Sequence, residues 1–148
     1  VSKPLDVSFE ATLHVRDTCL CLHVQRAARA LARRFDEALR PVGISSGQFS
    51  LLMSLNRPKP PTIGAVSNLL AMDRTTLTAN LKPLERRDLV MVSVDPDDRR
   101  GRLLTLTPAG LALLARAMPI WTRSHAAVEQ GLPGADPEAL RTALRALS

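Results

Sequence analysis

The stretch from Thr62 to Thr107 constrains this chain most, because two short amphipathic helices there run straight into two strands joined by a charged turn. Thr62 is the expected N-cap of the first segment, in which Ile63, Val66, Leu69 and Leu70 recur at helical spacing. Asp73 is the expected cap of a second, from Arg74 to about Arg87, with Leu77, Leu81 and Leu84 as its buried stripe. That stripe leaves Arg74, Thr75, Thr76, Thr78, Asn80 and Lys82 for the outer face. Hydroxyls and amides suit base edges and phosphates, and cations suit phosphates and guanine. The plain alternative is a solvated helix face.

Leu89-Val-Met-Val-Ser-Val94 is apolar and rich in β-branched residues, Asp95-Pro-Asp-Asp-Arg-Arg-Gly101 is a dense turn cluster, and Arg102-Leu-Leu-Thr-Leu106 reads as a second strand. A hairpin directly behind a helix pair makes a winged helix. A tip carrying Arg99, Arg100 and Arg102 can put a guanidinium into the narrow, negative minor groove of duplex DNA. Asp98 is placed to brace one of them through a charge-assisted hydrogen bond. The alternative here is a solvated tight turn.

The flanks read as helix. A first long helix is expected over residues 8–40, ended by Pro41-Val-Gly43, with Leu20, Val24, Ala27, Ala28 and Leu31 supplying apolar surface. Ser45 and Gln48 have capping-box spacing ahead of Phe49, Leu52, Met53 and Leu55, which should face inward. Thr107-Pro108 opens a helix towards Gln130 that Pro119 should interrupt or kink, and Pro83 should kink the helix that Asp73 opens. Asp136-Pro137 starts a last helix whose Leu140, Leu144 and Leu147 have nothing local to cover them. The fold class is therefore mainly α with a small β-hairpin wing. A single domain, 1–148, carries a winged helix-turn-helix lobe over 45–107 between dimerisation helices over 8–40 and 108–148. Apolar terminal helices suit a two-fold dimer whose lobes sit on half-sites roughly 34 Å apart. An intramolecular bundle is the other use for them.

A chain of 148 residues can bury one core, and a net charge of +6 with pI near 10.6 favours a polyanionic partner, nucleic acid first. The basic bias extends to Arg26, Arg29, Arg33 and Arg34, where it also serves simply to solvate a helix. No run is long and apolar enough for a bilayer and the start lacks a secretory pattern, so the expected location is the cytoplasm. Cys19 and Cys21, one residue apart on a helix, should not pair, which fits a reducing compartment. The loose segments should be the first few residues and 131–135. His14, Cys19, Cys21, His23 and His125 form no nucleophile elbow, phosphate loop or metal motif. No catalytic residue, metal or cofactor is therefore expected, and a small thiol enzyme is the remote alternative.

The segments Asp73-Arg-Thr-Thr-Leu-Thr-Ala-Asn-Leu, Leu84-Glu-Arg-Arg-Asp-Leu-Val90, Asp95-Pro-Asp-Asp-Arg-Arg-Gly101 and Leu104-Thr-Leu-Thr-Pro-Ala-Gly110 together resemble the MarR family of bacterial transcription regulators. The resemblance covers nearly the whole chain. It implies a sequence-specific, homodimeric repressor of double-stranded DNA with intertwined terminal helices, the second helix of the motif in the major groove, and Asp98 and Arg100 at the minor groove. It also implies release by a small aromatic or anionic effector bound between the dimer helices and the lobe, where His14, Arg16 and His23 would be the polar handles. Cys21 stands where the organic-hydroperoxide-sensing branch carries its reactive cysteine, making a thiol-based repressor the alternative. That branch activates its thiol with tyrosine hydroxyls. This chain has no tyrosine, with Phe35 and Ser46 in the corresponding places, so the expectation is a buried, inert Cys21.

Overall fold

A computed structural model describes residues 6–148; the start of the chain expected to be loose, residues 1–5, lies outside the described residues. The chain divides into two compact units, the first ending at Arg34 and the second spanning Phe35–Ser148.

The first unit departs from the single helix expected over 8–40. It holds α1, Phe9–Thr18, and the greater part of α2, Leu20–Leu39, with Cys19 extended between them at φ −67° and ψ 111°. The break is built from local bonds. Ser8 Oγ caps Ala11 N at 3.1 Å, and at the far end the Thr18 hydroxyl donates to His14 O at 2.7 Å. Cys19 then acts as the cap of α2, its Sγ accepting from Leu22 N at 3.4 Å and its carbonyl accepting from His23 N.

In the second unit a 3₁₀ turn, Arg40–Val42, and left-handed Gly43 at φ 73° turn the chain out of α2. The full capping box of Ser45 and Gln48 opens α3, Ser46–Ser54. Phe49, Leu52 and Leu55 are buried as expected, but Leu51 is buried too, while Met53 stays half-exposed. Thr62 Oγ1 accepts from Ala65 N to start α4, Ile63–Leu70, and Asp73 Oδ1 accepts from Thr76 N at 2.8 Å to start α5, Arg74–Arg86. Leu69, expected inward, is exposed. The α4 stripe is centred on Val66, Ser67, Ile63 and Leu70, and at 3.6 residues per turn Leu69 falls roughly 110° from its centre.

Leu77, Leu81 and Leu84 seat α5 in the core, and the helix runs on through Pro83 for a last turn. Asp88, left-handed at φ 56°, then releases the chain into β1, Val90–Val94, paired antiparallel with β2, Arg102–Leu106, in the register Val90↔Leu106 to Val94↔Arg102. Leu104 N donates to Pro61 O at 2.9 Å, and Thr62 bridges Leu103, which ties the hairpin to the start of α4.

Thr107 locks the exit. Its hydroxyl donates to Asp88 O at 2.6 Å and accepts from Gly110 N at 3.0 Å, opening α6, Pro108–Gln130. Gly110 sits so close to the preceding loop that a Cβ there would collide with the Leu89 carbonyl oxygen. Of the two outcomes expected at Pro119, the interruption does not occur, and α6 runs on through it. The carbonyl that loses its donor belongs to Ala115, which like Pro119 is exposed and can leave that carbonyl to solvent. The loop over 131–135 contains left-handed Gly134, and Asp136 then caps α7, Pro137–Ala146, whose Leu140 and Leu144 are exposed, as is Leu147 at its C-cap. Among the described residues no helix is long and apolar enough to cross a membrane.

Candidate nucleic-acid interface

The six outer residues of α5 are all exposed, but the helix gives them three directions. The buried stripe of Leu77, Leu81 and Leu84 fixes the inward direction, and at 100° per residue the opposite side is held by Thr75, Ala79 and Lys82. Arg74 and Thr78 lie on the flank towards the hairpin, lining one cleft with it. Asn80 lies on the other flank, in a recess shared with Ser45, Gly47, Gln48 and Pro83. Ala79 was not among the residues the sequence singled out, because a methyl carries no polar signal; in a groove it would meet a thymine methyl.

The hydroxyls differ as well. Thr76 Oγ1 donates to Asp73 Oδ2 and Thr78 Oγ1 donates to Arg74 O, both at 2.8 Å, so each keeps only acceptor capacity for a ligand. The two bonds from Thr76 also pull the Asp73 carboxyl below the usual carboxylate range, the backbone bond contributing most. The Thr75 hydroxyl and the Lys82 ammonium make no hydrogen bond to described residues.

At the hairpin tip the expected brace has a different target. Asp98 Oδ1 accepts from the Arg100 backbone N–H at 3.1 Å rather than from a guanidinium, Asp95 Oδ1 accepts from Asp97 N at 2.9 Å, and Gly101 N donates to Asp98 O at 2.8 Å. Both carboxylates therefore fix the shape of the turn. Arg102 folds back, its Nη1 donating to Arg99 O at 3.2 Å and Gly101 O at 3.1 Å. The side chains of Arg99 and Arg100 are exposed with no partner among the described residues, and are the free cations of the tip, beside the exposed carboxylates of Asp97 and Asp98.

Between α5 and this tip lies a polar cleft of about 350 Å³ lined by Thr62, Gly64, Arg74, Thr78, Asp95, Asp98, Arg100 and Arg102 among others. An exposed helix face, a cationic tip and a cleft between them match the alternation of grooves and backbone on a duplex.

The residues expected to handle an effector lie in the first unit and do not come together as a site. Arg16 is already paired with its neighbour, Nε to Asp17 Oδ1 at 2.7 Å and Nη2 to Oδ2 at 3.2 Å. His23 Nδ1 lies 2.7 Å from Cys19 O, and His14 is exposed. Cys21, expected to be buried by packing in the dimer helices, is exposed in the single chain, and Cys19 is half-buried at the helix break.

The sequence did not reveal an apolar cavity of about 390 Å³ in the second unit, lined by Phe49, Ser50, Met53, Ser54, Leu69, Leu70, Met118 and Trp121. Trp121 is stacked between Phe49, 6.1 Å away, and the His125 ring, 4.6 Å away, and His125 Nε2 stands 3.7 Å from Glu129 Oε1. The one available signal was the single tryptophan of the chain on the same helix as Met118.

Residues 44–101 match the MarR family. The chain is 34% identical over 76 residues to the HTH-type transcriptional repressor NicR of Pseudomonas putida, an alignment covering 51% of this chain and 48% of NicR. The chain thus spans about half the length of the curated relatives it matches first. Among solved structures it is similar to the Mycobacterium tuberculosis transcriptional regulator MosR in complex with DNA, with a TM-score of 0.78, 34% identity, and coverage of 86% of this chain and 92% of that one. It is also similar to BpsR of Bordetella bronchiseptica, whose DNA binding is regulated by 6-hydroxynicotinic acid, with a TM-score of 0.76, 28% identity, and coverage of 86% and 91%.

Proposed function

Because the chain belongs to the MarR family, we propose that it is a homodimeric, sequence-specific repressor that binds duplex DNA in the cytoplasm and is released from it by a small effector. The lobe over 45–107 holds the DNA, and the helices over 8–40 and 108–148 make the dimer. The observation that carries this reading is the pairing of the outward α5 face with the two unpartnered arginines of the tip, either side of one cleft. The DNA-bound likeness of MosR supports it. Fluorescence anisotropy with the DNA upstream of its own gene tests it. Affinity is expected to fall roughly 10³-fold or more between about 50 mM and about 200 mM salt, as counterions compete for the phosphates. No binding at low salt, or binding indifferent to salt, would overturn the reading.

The effector site we assign is the cavity beside Trp121. Its lining has two serines and no cation, and Ser54 Oγ already donates to Leu51 O at 2.6 Å, so an uncharged aromatic molecule suits it better than a free carboxylate. Regulation of BpsR by a small aromatic ring supports an effector of this general size. Trp121 is the only tryptophan, so quenching of its emission on titration with neutral and anionic aromatics reads occupancy directly.

One observation favours a second reading, thiol sensing: Cys21 is exposed and thus open to an oxidant. Against it stands the absence of any tyrosine to stabilise a thiolate. A stoichiometric organic hydroperoxide should leave the DNA complex of the parent and of Cys21→Ser equally intact. Rapid release in the parent alone, reversed by a thiol reductant, would install the second reading.

A further inference from the structure

We propose that Gly64 is a positioning residue for DNA, its bare Cα seating the Arg74 guanidinium in the cleft between α5 and the hairpin tip, where Arg74 holds a backbone phosphate. The inference rests on the DNA-binding reading above. Gly64 lies inside α4, where glycine weakens a helix relative to alanine, and it has no left-handed φ to justify it. What it does have is a neighbour. A Cβ built on Gly64 would stand 2.8 Å from Arg74 Nη2 and 3.6 Å from Cζ, so the guanidinium occupies the space a side chain would take.

Arg74 is the first residue of α5, on the flank that faces the hairpin, and its side chain makes no hydrogen bond to any described residue. It is therefore held in place by shape while its donors stay free. Three guanidiniums, of Arg74, Arg100 and Arg102, line the cleft against the two carboxylates of Asp95 and Asp98. Each carboxylate is already engaged with a turn N–H, and Arg102 with two carbonyls. The cleft keeps a positive balance, with Arg74 and Arg100 as its free donors.

The ligand follows from groove geometry. A helix in the major groove and a tip in the neighbouring minor groove straddle one sugar-phosphate strand, so the space between them meets phosphate and no base edge. Arg74 thereby acts on affinity and register and reads no sequence.

The test is anisotropy on an operator duplex and on a non-operator duplex of equal length, over a range of salt, for the parent, Gly64→Ala, Arg74→Ala and the double variant. Gly64→Ala and Arg74→Ala should each bind both duplexes several-fold more weakly and lower the salt slope by about 2, one for each copy in the dimer. The double variant should be no weaker than Arg74→Ala. The thermal midpoint of Gly64→Ala should hold or rise, since only the end of a flexible side chain must move. If the midpoint falls instead, the double variant should restore it. Parental affinity and slope in Gly64→Ala, additive losses in the double variant, a loss confined to the operator, or a lowered midpoint that Arg74→Ala does not restore would each overturn the inference. If the parent binds neither duplex, the regulator reading itself fails, and this inference with it.

Discussion

Adjacent arginines at the hairpin tip do different work because the backbone treats them differently. Arg102 spends its donors on the carbonyls of Arg99 and Gly101, while Arg100 has its N–H held by Asp98 and its side chain left free. Arg100→Ala should therefore remove a contact at full strength without loosening the turn, costing on the order of 1 to 3 kcal/mol of binding if it meets a base edge. Arg145→Ala, on α7, is the control, and both variants should keep the parent's circular dichroism. Equal affinities for Arg100→Ala and Arg145→Ala would remove the tip from the interface. A residue with the opposite character is Gly110, which touches no ligand in this scheme. Its Cβ would strike a backbone oxygen that is held by the Thr107 N–H, so neither side can yield cheaply. Gly110→Ala should lose about 1 to 3 kcal/mol of stability in urea unfolding, as overpacked cores do.

For the helices and strands, chemistry at their ends decides both behaviour and legibility. Asp73 holds the start of α5 through its two bonds from Thr76, and these bonds depress its folded pKa below the unfolded value of about 3.9. The stabilisation it adds is complete above that value and disappears as pH falls through the folded pKa. The stability gap between the parent and Asp73→Ala should thus be constant near neutrality and close below about pH 4. A gap that persists in acid would mean the cap works without its charge. The same kind of local bond made α3, α5 and α6 readable in advance, since Ser45 with Gln48, Asp73, and Thr107 with Pro108 each satisfy a neighbour within three residues. The hairpin was readable because its turn cluster fixes the register. The break at Cys19 was not, because a threonine back-bond and a thiol cap leave no mark in hydrophobic periodicity. Pro119 does not interrupt α6, for the converse reason that local rules disfavour a proline inside a helix but an exposed turn tolerates it. The cavity beside Trp121 was out of reach because α3, α4 and α6 contribute its walls from distant parts of the sequence, and exposed Leu69 makes sense only once they meet.

For the whole molecule, the unresolved quantity is apolar surface. Phe9 is 74% exposed, Leu20 67%, Leu144 43% and Leu147 60%, all on the terminal helices and none in the core of the second unit. In the proposed dimer a second copy would cover such side chains and double the DNA contacts. Linking two lobes turns the second half-site into an intramolecular event, which raises affinity by roughly 10²-fold to 10⁴-fold when the spacing fits. Leu144→Asp places a carboxylate in that cover without touching the core, so the folded chain should persist by circular dichroism while sedimentation equilibrium shows monomer. DNA affinity should then drop by roughly 10²-fold or more, with a salt slope near half the parent's, because half the phosphate contacts are gone. A variant that sediments as a dimer and binds like the parent would take α7 out of the interface and return its leucines to an intramolecular role.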